Sequence, residues 1–287
     1  MKHSQSQSQS QPKHLPLILF GTYNLHQEDA ESCVKYALSS NNHHNRMVYG
    51  GVDCAPIYKN QAYVGRALKF LWTNGERTRD EVWIQTKLWR SSRISQVVSK
   101  LRGSLKQLQL DYVDCYLMHW PGPGRFKDCP PVTSTEFNVV TDEEKWCPVC
   151  KERDYVIYVC KQENVVDDVI PTCPREWVTG SYRLALYSEM CKALELGLAR
   201  SLGVCNCSYD QIVELLNYCE EKCLPRPYIV QNEFHPYLYN QKVLMLCARE
   251  GVSESHFLCA LTLIVFVYLI SHFRNKISGP FFIGRAV

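Results

Sequence analysis

The sequence predicts an α/β chain of the (β/α)8 barrel class, incomplete, with about six βα units recognisable. Three observations carry this expectation. From Leu15 onward, short apolar runs alternate with segments of helical periodicity, the pattern of parallel strands each followed by a covering helix. The 287-residue length accommodates one barrel of ~250 residues and leaves no room for a second full domain. The alternation stops near Gly251, before an eight-stranded ring could close.

The elements can be justified in order. Strand-like apolar runs lie at Leu17 to Phe20, Gly51 to Asp53, Val82 to Thr86, Val113 to Met118, Ser201 to Val204 and Ile229 to Asn232. Between them, apolar residues recur at helix spacing: Ala30, Cys33, Val34, Ala37 and Leu38, then Val64, Ala67, Leu68 and Leu71, then Ile94, Val97, Val98, Leu101 and Leu105. Further helical stretches run from Leu186 to Leu196, Asp210 to Cys219 and Gln241 to Arg249. Residues 122–179 break the rhythm with prolines, charges and cysteines and read as an insertion after the fourth strand, on the face where barrel loops shape a pocket. The chain thus divides into a Ser/Gln-rich tail at 1–14 with nothing to bury, a barrel region at 15–251 and a divergent apolar segment at 252–287.

Composition excludes several classes. A net charge of +3 gives no electrostatic case for nucleic acid, so a small molecule is the expected partner. The fifteen cysteines are odd in number and scattered, with no N-terminal apolar segment, and read as reduced thiols of a cytoplasmic protein. Cys147 and Cys150 have the spacing of a zinc knuckle, with Cys129, Cys160 and Cys173 as candidate completing ligands. No second CxxC exists, so surface thiols are favoured and no metal is expected. Arg90, Arg93, Lys100 and Arg102 read as a solvated helix face, and Gly122-Pro-Gly124 as a turn.

Four polar residues stand at or just past predicted strand ends, where barrels place their working groups: Asp53 and Tyr58 in VDCAPIYKN, Lys87 in TKLW and His119 in LMHWP. Reduction of a carbonyl needs a proton donor for the developing alkoxide. A tyrosine near its unperturbed pKa of ~10 is a weak acid unless a cation favours its phenolate. Lys87 could supply that cation, Asp53 could hold the lysine, and His119 could orient the substrate oxygen. Any one of these alone reads as a cap or a packing residue; the chemistry rests on the set.

GTYNL (Gly21 to Leu25), VDCAPIYKN (Val52 to Asn60), VGRAL (Val64 to Leu68), TKLW (Thr86 to Trp89), LDYVDCYLMHWP (Leu110 to Pro121), GVCN (Gly203 to Asn206) and QNEFHPYL (Gln231 to Leu238) follow in one order. Across Leu15 to Gly251 this series resembles the aldo/keto reductase family. The resemblance implies carbonyl reduction with NADPH and without a metal. It implies Tyr58 as proton donor, Lys87 and Asp53 as the residues that tune it, and His119 as the orienting histidine. A Ser-Asn pair and a glutamine hold the nicotinamide carboxamide in that family; Asn206 and Gln231 match, whereas Cys205 stands where serine is usual. Gly21, Thr22 and Asp53 join the cofactor side by the same resemblance. Tyr23 and Trp120 join His119 on the substrate wall, where aromatic rings suit an apolar aldehyde or ketone.

After CAREGV the resemblance lapses. The family continues with a seventh strand bearing an aromatic that stacks on nicotinamide, then a Lys, Ser and Arg region that holds the cofactor phosphates. Neither is recognisable in SESHFLCALTLIVFVYLISHFRNKISGPFFIGRAV. A ring lacking two strands would leave two open edges and an uncovered interior. The alternative function is therefore a catalytically inactive, truncated reductase-like protein acting in interaction or membrane tethering. The apolar run at 257–271 reads either as a buried element or as a membrane anchor, and is short of the ~20 residues that a spanning helix needs.

Overall fold

The computed structural model describes residues 13–39, 49–89, 94–121, 181–235, 238–258 and 281–283. The Ser/Gln tail through residue 12, the insertion at 122–179 with Cys129, Cys147, Cys150, Cys160 and Cys173, Arg90 and Arg93, and the apolar run beyond Leu258 lie outside them.

Eight parallel strands form a closed barrel in chain order: β1 (Ile18–Gly21), β2 (Gly51–Asp53), β3 (Trp83–Leu88), β4 (Val113–Met118), β5 (Ala199–Cys205), β6 (Ile229–Glu233), β7 (Ser253–Leu258) and β8 (Phe281–Ile283). Helices α1 (Gln27–Leu38), α2 (Gln61–Thr73), α3 (Val97–Leu108), α4 (Ser181–Glu195), α5 (Tyr209–Glu221) and α6 (Gln241–Glu250) follow β1 to β6. The six βα units are those legible in the sequence. The expected pair of open edges is not found: β7 pairs with β6 from Ile229↔Ser253 to Glu233↔Phe257, and the three residues of β8 join β7 to β1. Among the described residues, no helix follows β7 or β8.

Every residue of β3 and β4 is buried, as expected of parallel strands covered on both faces. Outward-facing Val52, Ile84, Tyr116, Leu202, Val204 and Val230 pack with helix residues such as Val34, Leu68, Leu101, Leu186 and Ile212 in the larger core. The barrel interior holds a second core of Leu19, Trp83, Cys115, Leu117, Cys205 and Ile229, against which Leu15, Tyr228 and Phe257 pack.

Local chemistry fixes the helix ends. Ser208 and Gln211 form a capping box that starts α5, satisfying amides that would otherwise lack partners. Asn240 caps α6 through Val243 N, and Gly251 ends that helix at φ 65°, a conformation that costs glycine little. Glycine is also required at Gly51, where a Cβ would lie 2.1 Å from the Trp83 carbonyl oxygen. At the strand N-terminal end, Lys13 is anchored by a hydrogen bond to Arg79 O at 3.1 Å and an ion pair with buried Asp114 at 3.4 Å. Among the described residues, no helix is long and apolar enough to cross a membrane.

Candidate active site

The C-terminal ends of β2, β3 and β4 bring Asp53, Tyr58, Lys87 and His119 together. Asp53 closes β2 in register with Gln85 of β3, and Lys87 lies two residues further along β3. Period-2 alternation therefore puts Gln85 and Lys87 on the same interior face as Asp53. After β2 the chain turns through Pro56–Tyr58, a 3-10 turn with proline at its start, and Lys59 reverses it at φ 58°. This brings the Tyr58 hydroxyl within 3.3 Å of the Lys87 ammonium. The His119 amide donates to Leu88 O at 3.0 Å, which ties the histidine to the end of β3.

Lys87 is 2% exposed and Asp53 7% exposed, so each charge depends on the other. They form an ion pair through Asp53 Oδ1, and Lys87 also donates to the Cys54 carbonyl at 3.4 Å. Burial is the largest single influence and opposes the lysine's charge, but the Asp53 carboxylate, its hydrogen bond and the neighbouring Tyr58 and Cys205 together exceed it, and the lysine pKa lies above its ordinary value. The phenol departs from the sequence expectation of net acidification. Burial raises the Tyr58 pKa, and the opposing pull of Lys87 reduces that rise without reversing it. The tyrosine is accordingly protonated in the ordinary pH range, and its hydroxyl is a proton source only for a strong base.

The residues expected to hold the cofactor lie on or just past β1, β2, β5 and β6. The Cys205 thiol donates to Gln231 Oε1 at 2.6 Å. Gln231 is 1% exposed, and its Nε2 has no acceptor among the described residues. A buried amide with one end fixed and a donor left over fits a carboxamide oxygen. Asn206, at φ 56° just past β5, donates to His119 O at 2.8 Å and so ties the end of β5 to the end of β4. Gly21 ends β1 opposite Asp53, while the Thr22 amide and hydroxyl both donate to Asp53 O at 3.0 and 3.1 Å. Thr22 thus anchors the Asp53 backbone.

Aromatic rings surround the phenol. Tyr23, 55% exposed, lies 5.1 Å from the Tyr58 ring, and His119 lies 5.9 Å from it, edge-on. Trp120 stacks on His119 at 6.3 Å. Beside Tyr58, a cleft of about 450 Å3 is lined by Leu25, His26, Gln27, Glu28, Asp29 and Lys59.

Sequence reasoning missed three residues of this region. Gln85 donates to Asp53 Oδ1 at 2.7 Å, although a glutamine inside a strand carries no motif. Trp89, the last residue of TKLW, lies 5.2 Å from His119, edge-on. Phe257 is an aromatic on the seventh strand, where none was recognised in the sequence; it packs against the interior core that includes Cys205. Its signal was present as one aromatic at the end of SESHF, obscured by the apolar run that begins at the same residue.

Comparison with known proteins agrees with this architecture. Aldose reductase B of Dictyostelium discoideum is 31% identical over 241 residues, covering 83% of this chain and 64% of its own length. NADP-dependent D-sorbitol-6-phosphate dehydrogenase of Malus domestica is 28% identical, covering 83% and 62%. Among solved structures, a Bombyx mori aldo-keto reductase in complex with NADP has a TM-score of 0.60 at 25% identity, covering 84% of this chain and 62% of that one. Aldose reductase from Schistosoma japonicum shares the fold with a TM-score of 0.64 at 22% identity, covering 96% and 80%. The chain therefore spans under two thirds of the length of these curated relatives. The sequence model of the Aldo/keto reductase family matches residues 17–254, and with the barrel and its strand-end residues in place, the chain belongs to the aldo/keto reductase family.

Proposed function

We propose that this protein is an NADPH-dependent oxidoreductase that reduces a small aldehyde or ketone to the alcohol, with Tyr58 as proton donor. The observation that carries the reading is the buried Lys87 ammonium, paired with Asp53 and 3.3 Å from the Tyr58 hydroxyl at the C-terminal mouth of the barrel. NADPH, when bound, supplies the hydride. The Gln231 amide, Asn206 and Cys205 would hold its carboxamide, with Gly21, Thr22 and Asp53 lining the same side. Phe257 offers an aromatic face from β7.

The chain's own residues divide the remaining work. His119 orients the carbonyl oxygen toward Tyr58 and donates to it as charge accumulates. Tyr58 delivers its proton to that oxygen, and Lys87 stabilises the phenolate left behind. Asp53 keeps the lysine charged and in place. Tyr23, Trp120 and His119 form the substrate wall, while the cleft beside Tyr58 adds the polar side chains of His26, Gln27, Glu28 and Asp29.

The test is fluorescence titration of purified protein with NADPH, followed by turnover across a panel of aldehydes and ketones. Saturable binding with turnover is expected. Binding without turnover, or no binding, would favour the inactive, interaction-type reading instead.

A further inference from the structure

Asp53 Oδ1 accepts from Lys87 and also from Gln85 Nε2, at 2.7 Å. Gln85 is fully buried on β3, and its own oxygen accepts from the Trp83 indole Nε1 at 3.1 Å. Trp83 is 1% exposed and stacks on Tyr228 at 6.2 Å, so its ring is held in place. A side-chain amide is ambiguous in orientation until one end is claimed. The indole N–H can only donate, so it claims the Gln85 oxygen and forces the amide N–H2 toward Asp53. The result is one connected network across the barrel interior: Trp83 donates to Gln85, Gln85 and Lys87 both donate to Asp53, and Lys87 donates to Tyr58.

We infer that Gln85 is a positioning residue for the reaction proposed above, holding the Asp53 carboxylate so that Lys87 stays within reach of the Tyr58 hydroxyl. The inference rests on that proposed function for its catalytic consequence, while its structural half stands independently. Asp53 and Gln85 are direct register partners on neighbouring strands, so the contact is built into the barrel. With Gln85 removed, Lys87 would be the one side-chain donor left to Asp53 Oδ1 among the described residues, and the carboxylate would be able to rotate. Lys87, bound chiefly through that oxygen, would move with it, and small displacements at a reacting group are costly in rate. Gln85 touches neither substrate nor cofactor in this scheme, so its loss should act on turnover more than on substrate binding.

The experiment is Gln85→Met, which keeps the side-chain length and removes the amide, with Trp83→Phe as a second variant that removes the indole donor. Side-chain 15N spectra read the contacts without turnover. In the unmodified protein the Lys87 ammonium and Trp83 indole protons should be protected from solvent exchange. Gln85→Met should expose both to faster exchange. Loss of a hydrogen bond to a charged group predicts kcat about 10- to 100-fold lower with KM within about twofold. Trp83→Phe should shift the Lys87 signal in the same direction by less, and it stands in if Gln85→Met does not fold. An unchanged Lys87 signal in a folded variant, or unchanged kcat, overturns the inference. If the unmodified protein turns over no substrate, the proposed function fails, and the Lys87 signal alone still judges the role of Gln85.

Discussion

Lys87 Nζ stands 3.3 Å from the Tyr58 hydroxyl while forming an ion pair with Asp53, and both charged residues are withdrawn from water. The pair spans neighbouring strands, so the barrel's stability and its proposed chemistry share one interaction. Breaking a buried pair from one side leaves an uncompensated charge. Lys87→Met should therefore lower unfolding stability by about 3–5 kcal/mol, read by chemical denaturation. The double variant Asp53→Asn/Lys87→Met should lose less than the sum of the two single losses. Additive losses would mean that the pair is not coupled.

Cys205 is a second specific test. Its thiol contacts Gln231 Oε1 at 2.6 Å, close for sulfur, and a hydroxyl is both smaller and the better donor. Cys205→Ser should fix the Gln231 amide more firmly and tighten NADPH binding by about threefold in a fluorescence titration. Weaker binding by the serine variant would remove Cys205 from the carboxamide site.

Phe257 tests whether the divergent C-terminal segment contributes a working wall. Phe257→Leu preserves apolar volume and removes the ring face. NADPH affinity should fall by roughly threefold to tenfold, the range of an aromatic contact, with little change in Tm. Unchanged affinity would make Phe257 a packing residue alone.

The outward side of β7 predicts a pH signature. Burial raises the Glu254 carboxyl to about 7 and lowers His256 to about 4, with their side chains 3.9 Å apart. For Glu254, the folded state binds a proton that the unfolded state has released, so stability falls as pH rises from about 4.5 to about 7. For His256 the sign reverses: the unfolded state takes up the proton first, and stability falls as pH drops from about 6.5 to about 4. The two slopes oppose each other where the windows overlap. Glu254→Gln should stabilise the protein at pH 8 by on the order of 2 kcal/mol and leave it little changed at pH 4. A variant equally stable to the unmodified protein at both pH values would contradict the assignment.

Much of this architecture is legible in the residues, for a physical reason. The first six strands are apolar runs bounded by turns, and Asp53, Tyr58, Lys87 and His119 interrupt that pattern with polar groups at strand ends. β7 escapes because Ser253, Glu254, Ser255 and His256 put polar atoms on both faces of a buried strand, which reads as loop. Its burial is imposed by pairing with β6 and by α6, which no local periodicity reports. β8 is too short for any periodicity to register. Gln85 is hidden for the opposite reason: its strand is obvious, but its use depends on Asp53, 32 residues away in sequence. The direction of the Tyr58 shift was also beyond sequence, because the neighbouring cation is visible in a motif while the depth of burial is not.

In the proposed reaction Tyr58 delivers the proton. The most direct test of that claim compares Tyr58→Phe with the unmodified protein, measuring NADPH affinity and the rate of aldehyde reduction in parallel. Affinity should stay within about twofold while turnover falls by at least about 100-fold, the loss expected for a general acid. Turnover by Tyr58→Phe at the unmodified rate would contradict the claim.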